Sequence, residues 1–190
     1  MSTERSSIIA DRCFDRVTLE HMVSEMLRCG MAAFFEGTDG CVELSPTGQS
    51  LYDWGEVARG LDGMARANPT LRFGKVDFTD EAMPAFQRSG FLQREFGYYD
   101  VGDGCHEIVL PGVDKGSGLR LLTERIESCL TDGLRGVRTY AFGDSENDLA
   151  MLEAADVAIA MGQAARHVQD AADYVTDTCA DDGVATALKH

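Results

Sequence analysis

The alternation of apolar and polar positions divides the chain into short elements with recognisable ends. Residues 1–16 are polar and predict a loose segment. From Thr18 the spacing turns helical, with Leu19, Met22, Val23, Met26 and Leu27 on one face and Gly30 as the stop. Residues 31–36 and 41–44 flank Gly37-Thr38-Asp39-Gly40 and predict a hairpin. A loop at Pro46-Thr47-Gly48 leads past the only tryptophan, Trp54, to a glycine-broken helix over 56–67. Residues 71–78 predict a strand whose apolar parity flips near Gly74, the mark of a bulge. A helix follows over 80–95, with Pro84 tolerated only in its first turn. Residues 96–101 and 105–110 predict a second hairpin across Gly102-Asp103-Gly104. Helices alternating with hairpins in this way predict an α+β domain with a mostly antiparallel sheet over residues 1–111.

The pattern changes at Pro111-Gly112. Beyond it a helix carrying Leu119, Leu122, Ile126 and Leu130 stops at Gly133. A buried strand at Tyr140, Ala141 and Phe142 follows, then a helix, a strand over 157–161 and a helix with Ala165, Val168 and Ala172. A strand over 174–176 and a short helix from Val184 complete the chain. Strict alternation of helix and strand predicts an α/β domain with a parallel sheet over residues 112–190.

Composition narrows the function classes. A chain of 190 residues can bury about 70% of its unfolded surface, as one domain or two small ones. Its net charge of -15 argues against nucleic acid and anionic membrane as partners. A hydrophobic content of 44% is too high for a disordered acidic chain. The six cysteines include no CxxC and the four histidines no HxxxH, so a zinc site is not expected. Scattered single cysteines fit buried thiols in a reducing, cytoplasmic setting. The first residues lack an apolar leader core, and no run approaches the length of a membrane span, so neither export nor insertion is expected.

The chemistry concentrates in TYAFGDSENDLAMLEAA, residues 139–155. An apolar strand passing through Gly143 into an acidic loop and a helix sets Asp144, Glu146 and Asp148 at the carboxyl end of the strand, where open α/β sheets bind ligands. Only Ser145 and Asn147 are at hand to share hydrogen bonds, so the like charge calls for a cation, and oxygen ligands suit Mg²⁺. The same residues also spell a capping box, Ser145-x-x-Asp148, with acidic residues in a first helical turn. A Ca²⁺ loop does not fit: Leu149 stands where its glycine belongs and Ala155 where its last glutamate belongs. The second feature is Val113-Asp114-Lys115-Gly116-Ser117-Gly118. A lysine in a first turn opposes the helix dipole, and each glycine costs about 1 kcal/mol of helix propensity. Such a sequence suits an ammonium held close to an anion, although a solvated lysine after a loop would look the same. Lysine with metal-binding carboxylates can stabilise a phosphoryl group in transfer.

VLPGVDKGSGLRLL, FGDSENDLAMLEAADVAIAMGQA and ADYVTDTCADDGVATAL together resemble the carboxyl-terminal part of Cof-type phosphatases, class IIB cap, of the haloacid dehalogenase-like superfamily. The resemblance covers residues 107–190 and, more weakly, residues 17–106 as the cap. It implies an α/β Rossmannoid half-core with an α+β class IIB cap, acting on sugar phosphates or other small phosphorylated metabolites with Mg²⁺. Carried over residue by residue, Lys115 is the catalytic lysine that holds nucleophile and phosphate, and Asn147 makes a polar contact to the phosphate. Asp144 ligates the metal, and Asp148 is the second acidic position, steadying metal and lysine. Gln163 and Cys179 stand where the family usually has Asn, which touches the surroundings of the site rather than the metal position itself.

The resemblance also implies a segment that these residues do not contain. The family's attacking aspartate lies in DxDGT, and no carboxylate pair two residues apart here is followed by Gly-Thr. Glu36/Asp39 and Asp100/Asp103 are spaced by three and sit in hairpins. The chain therefore reads as lacking the amino-terminal half of its core and as inactive alone. Either it is a phosphohydrolase polypeptide completed from elsewhere, or it is a non-catalytic relative binding Mg²⁺ and phosphorylated ligands or a protein partner. The strand at Tyr140 would then offer an unpaired edge, which predicts a homodimer or association with a chain supplying the missing half.

Overall fold

The computed structural model describes residues 9–51, 55–130 and 136–189. Trp54, Gly133 and the first half of the predicted loose segment, residues 1–8, fall outside them. Two compact units result, Asp11–Gly112 and Val113–His190, with Ile9 and Ala10 grouped with the second.

In the first unit, helix α1 (Arg16–Cys29) begins where the Asp15 carboxylate accepts the Thr18 N–H at 2.7 Å. It ends at Gly30, which is left-handed at φ 69°. Its apolar stripe is buried, as the periodicity predicts, although Cys29 rather than Leu27 completes it. Strands β1 (Ala33–Gly37) and β2 (Gly40–Leu44) form the first hairpin. Helix prediction fails over the next segment. Glu56–Ala58 is a strand, β3, because the free edge of β2 offers it a parallel ladder from Val42↔Glu56 to Leu44↔Ala58. Helix α2 is shortened to Leu61–Ala67.

Strand β4 (Phe73–Thr79) carries the predicted bulge: Glu36 pairs with Lys75 and Gly37 with Phe73, leaving Gly74 extra. The single helix expected over 80–95 is instead a 3-10 turn at Asp80–Ala82 and two helices, α3 (Met83–Arg88) and α4 (Gly90–Glu95). The break is Ser89, extended at ψ 92°, whose hydroxyl accepts the Leu92 N–H and starts the second helix. A serine that can cap competes with helix continuation. Strands β5 (Gly97–Gly102) and β6 (Cys105–Val109) close the sheet in the order β3-β2-β1-β4-β6-β5, antiparallel except for β2 with β3. Its large core includes Leu19, Met22, Phe35, Phe73, Phe78 and Ile108.

The second unit runs α5 (Lys115–Glu127), β7 (Tyr140–Gly143), a 3-10 turn (Glu146–Asp148), α6 (Leu149–Ala154) and β8 (Val157–Ala160). Helix α7 (Arg166–Asp170), β9 (Tyr174–Val175), a second 3-10 turn (Cys179–Asp181) and α8 (Gly183–Ala187) follow. The three strands are parallel, in the order β7-β8-β9. The buried core of this unit is small: Ala141, Leu152, Ala158, Ala160, Ala164 and Val168. Alanines bury little area, and apolar side chains that periodicity assigns to the interior are left outside. Tyr140 is 53% exposed, against the expectation of a fully buried strand, and Leu122 and Ile126 on α5 are exposed as well. Among the described residues, no helix is long and apolar enough to cross a membrane.

Candidate active site

The site grows out of two close backbone approaches at the carboxyl end of the parallel sheet. Helix α5 is opened by a reciprocal cap: Asp114 accepts the Ser117 N–H at 2.6 Å, and its own N–H donates to the Ser117 hydroxyl at 3.0 Å. Lys115 is thereby the first helical residue. Gly116 is buried against α6, where a Cβ would stand 2.1 Å from the Ala150 carbonyl oxygen. Glycine there brings the helix close enough for Lys115 to reach the acidic loop. Gly118 meets nothing within 4 Å, so packing accounts for only one of the two glycines. The second approach is at Gly143, where a Cβ would lie 2.5 Å from the Asp148 Cβ. The missing side chain lets Asp148 fold back over the strand end.

Asp148 is 5% exposed and sits at the centre. Its Oδ2 accepts the backbone N–H groups of Asp144 at 2.9 Å and Ser145 at 3.2 Å. Its Oδ1 accepts Lys115 Nζ at 2.5 Å, and the same ammonium donates to Asn147 Oδ1 at 3.1 Å. Burial pushes the Asp148 carboxyl up, but the Lys115 contact and the two N–H donors outweigh it, and its pKa lies below the ordinary carboxylate value. The capping box and the lysine contact are both realised, one on each oxygen of the same carboxylate.

The other two acidic side chains have partners that local sequence does not reveal. Gln163, in the loop after β8, donates Nε2 to Asp144 Oδ2 at 2.8 Å. His167 on α7 pairs with Glu146. Lys115, Asp144, Asn147 and Asp148, the residues singled out from sequence, are thus gathered in one loop-and-helix cluster. The like charge is met by three separate elements rather than by Ser145 and Asn147 alone. Asp144 is exposed, and as a carboxylate it is the kind of oxygen ligand that suits a hard cation. Mg²⁺ commonly takes one or two protein carboxylates and completes its shell with water and phosphate. Among the described residues no group of three or more His, Cys, Asp or Glu could hold a metal.

A three-stranded parallel sheet with lysine and carboxylates joined at its carboxyl end, in one chain with a mostly antiparallel α+β unit, defines a Rossmann-like α/β protein. The haloacid dehalogenase-like hydrolase family matches residues 77–188, and the chain belongs to that family. It is 39% identical over 84 residues to the 5-amino-6-(5-phospho-D-ribitylamino)uracil phosphatase of Bacillus subtilis, covering 44% of this chain and 31% of that protein. It is 33% identical over 119 residues to a phosphoglycolate phosphatase of Methanothermobacter thermautotrophicus, covering 63% and 51% respectively. These matches thus span about half or less of those relatives. Among solved structures, a subclass IIB sugar phosphatase superposes with a TM-score of 0.70 at 21% identity, over 96% of this chain and 68% of that one. A phosphatase of the same superfamily from Bacteroides thetaiotaomicron gives a TM-score of 0.71 at 23% identity, over 94% and 65%. At such identities the likeness is one of fold.

Proposed function

We propose that this chain is the phosphate- and metal-binding part of a phosphomonoesterase that acts on a sugar phosphate or another small phosphorylated metabolite. The observation that supports it most is Lys115 held between Asp148 and Asn147 beside the exposed Asp144. Asp148 keeps the ammonium charged and fixes where it points, while the one N–H not engaged by Asp148 and Asn147 can meet a phosphate oxygen. Asn147 supplies a polar amide next to that ammonium. Asp144 would hold Mg²⁺ with Asp148 alongside, and the ion would neutralise negative charge on the phosphoryl oxygens. The phosphatase names of its relatives support the class of reaction, and the sugar phosphatase fold supports the class of substrate.

The covalent route requires an attacking carboxylate, and these residues contain no DxDGT. On this reading the chain by itself binds a phosphate and Mg²⁺ without turnover, and the rest of the machinery comes from polypeptide beyond these 190 residues. The same reading assigns a role to the sheet margin: among the described residues β7 is the outermost strand of its sheet, with Tyr140 exposed, placed to pair with that polypeptide or with a second copy.

Calorimetric titration of the full chain with inorganic phosphate in the presence of Mg²⁺ tests the binding claim. A hydrogen bond to a charged group is worth about 1.5–3 kcal/mol, so Lys115→Ala should weaken phosphate binding by about 10- to 100-fold. Equal affinity of the variant and the parent would refute the assignment.

A further inference from the structure

We infer that Gln163 is a positioning residue for Asp144, through a bridge that ends on the backbone of Cys179; this rests on the assignment of Asp144 to Mg²⁺ above. The Gln163 side chain is engaged at both ends. Its Nε2 donates to Asp144 Oδ2 at 2.8 Å, and its Oε1 accepts the Cys179 N–H at 2.9 Å. The two partners determine which way the amide faces. Turned over, it would set its oxygen against a carboxylate and its NH₂ against an N–H, losing both bonds and adding two repulsions. The Cys179 N–H therefore locks the amide so that a donor always faces Asp144. One oxygen of that carboxylate is thereby held, and the other is left for a cation.

The side chain is not what closes the loops it joins. Backbone bonds already do so: Met161 N–H to the Gly143 carbonyl at 2.9 Å, Gly162 N–H to Asp177 at 3.1 Å and Gly183 N–H to Thr178 at 2.9 Å. Gln163 itself is exposed. Removing its amide should leave this framework intact and free only Asp144. An Asn at the same position is one methylene shorter and cannot make both contacts across the same gap without movement of either loop. Because Cys179 contributes its backbone, the identity of its side chain is free.

Partners that orient metal ligands typically contribute about 10- to 100-fold to metal affinity. The full chain, with NMR signals assigned, allows the bridge to be followed with and without metal. In the metal-free protein, Asp144→Asn and Cys179→Pro should each move the Gln163 side-chain NH₂ signals, whereas Cys179→Ala should not. Cys179→Pro removes the N–H together with the thiol, and Cys179→Ala controls for the thiol; the position is the first residue of a 3-10 turn, where proline is tolerated. Thr178 before it is already extended, at φ -71° and ψ 164°, as a residue preceding proline must be. In titrations with MgCl₂, Gln163→Met should weaken Mg²⁺ binding about 10-fold. Cys179→Pro should weaken it less and Cys179→Ala not at all, with unfolding midpoints unchanged. If Gln163→Met fails to fold, Cys179→Pro decides.

Parent-like Mg²⁺ affinity in Gln163→Met and Cys179→Pro, with affinity lost in Asp144→Asn, would overturn the bridge alone. A loss of affinity matched by a fall in the unfolding midpoint would mark Gln163 as a structural tie and overturn it too. Parent-like affinity in Asp144→Asn, or no Mg²⁺ binding by the parent, would remove the metal assignment on which the bridge rests.

Discussion

Gly116 and Gly118 are two residues apart on one helix, yet alanine at each should have opposite effects. At Gly118 nothing lies within 4 Å of an added Cβ, so Gly118→Ala should simply gain helix propensity and stabilise by about 0.5–1 kcal/mol. At Gly116 the Cβ would stand 2.1 Å from the Ala150 carbonyl oxygen and 2.6 Å from its carbon. Both are backbone atoms and cannot rotate aside, so α5 must retreat from α6 by about 1 Å to restore van der Waals contact. Overpacking of this kind costs about 1–3 kcal/mol and outweighs the propensity gain. The two variants should therefore differ by about 2 kcal/mol in the stability of this unit. Native-state hydrogen exchange at Ala141 and Ile159, in β7 and β8, reads that stability directly. The retreat also pulls Lys115 away from Asp148, to which it is bonded at 2.5 Å, so phosphate binding should fall in Gly116→Ala and hold in Gly118→Ala. Gly116→Ala as stable as Gly118→Ala, with phosphate affinity intact, would refute the packing explanation of this glycine.

Burial pushes the Asp77 carboxyl up to about 7, against the pull of Lys75 and with a further push from Glu36. A raised folded-state pKa means that its stabilising contribution is complete below the ordinary carboxylate value and is lost as pH rises through about 7. The first unit should lose stability between about pH 4 and pH 7, the span from the ordinary to the raised value, and Asp77→Asn should flatten the dependence in denaturant melts; a slope that survives the substitution would contradict it. On the proposed reading, the purified chain should hydrolyse p-nitrophenyl phosphate with Mg²⁺ no faster than background, because its residues contain no DxDGT. Turnover abolished by Asp144→Ala would show that the chain carries another nucleophile. Light scattering at tens of micromolar should show a dimer, paired through the β7 edge, that Tyr140→Lys disperses. A stable monomer with β7 amides well protected from exchange would rule out pairing through that edge.

What could be read from the sequence is what neighbouring residues decide among themselves. The stripe of α1 and its stop at Gly30, both hairpins, the bulge at Gly74 and the strand-to-loop passage at Gly143 all follow from local periodicity and turn chemistry. These act within a few residues. The same is true of the carboxylate loop, whose residues are consecutive, and of Lys115 as a helix-opening lysine. Tertiary structure decided the remainder. Glu56–Ala58 is a strand only because β2 has an edge to offer it. The helix over 80–95 breaks at Ser89, whose hydroxyl caps the next turn while donating to Glu25 of α1, 64 residues away in sequence. Apolar residues on α5 that periodicity would bury remain exposed, since the small alanine core of this unit does not reach them. The site divides in the same way. Its residue types were legible, but the partners of Asp144, Glu146 and Asp148 are Gln163, His167 and Lys115. Each comes from a different element, and the contact between any such pair depends on how helices and parallel strands pack, which no local window of sequence contains.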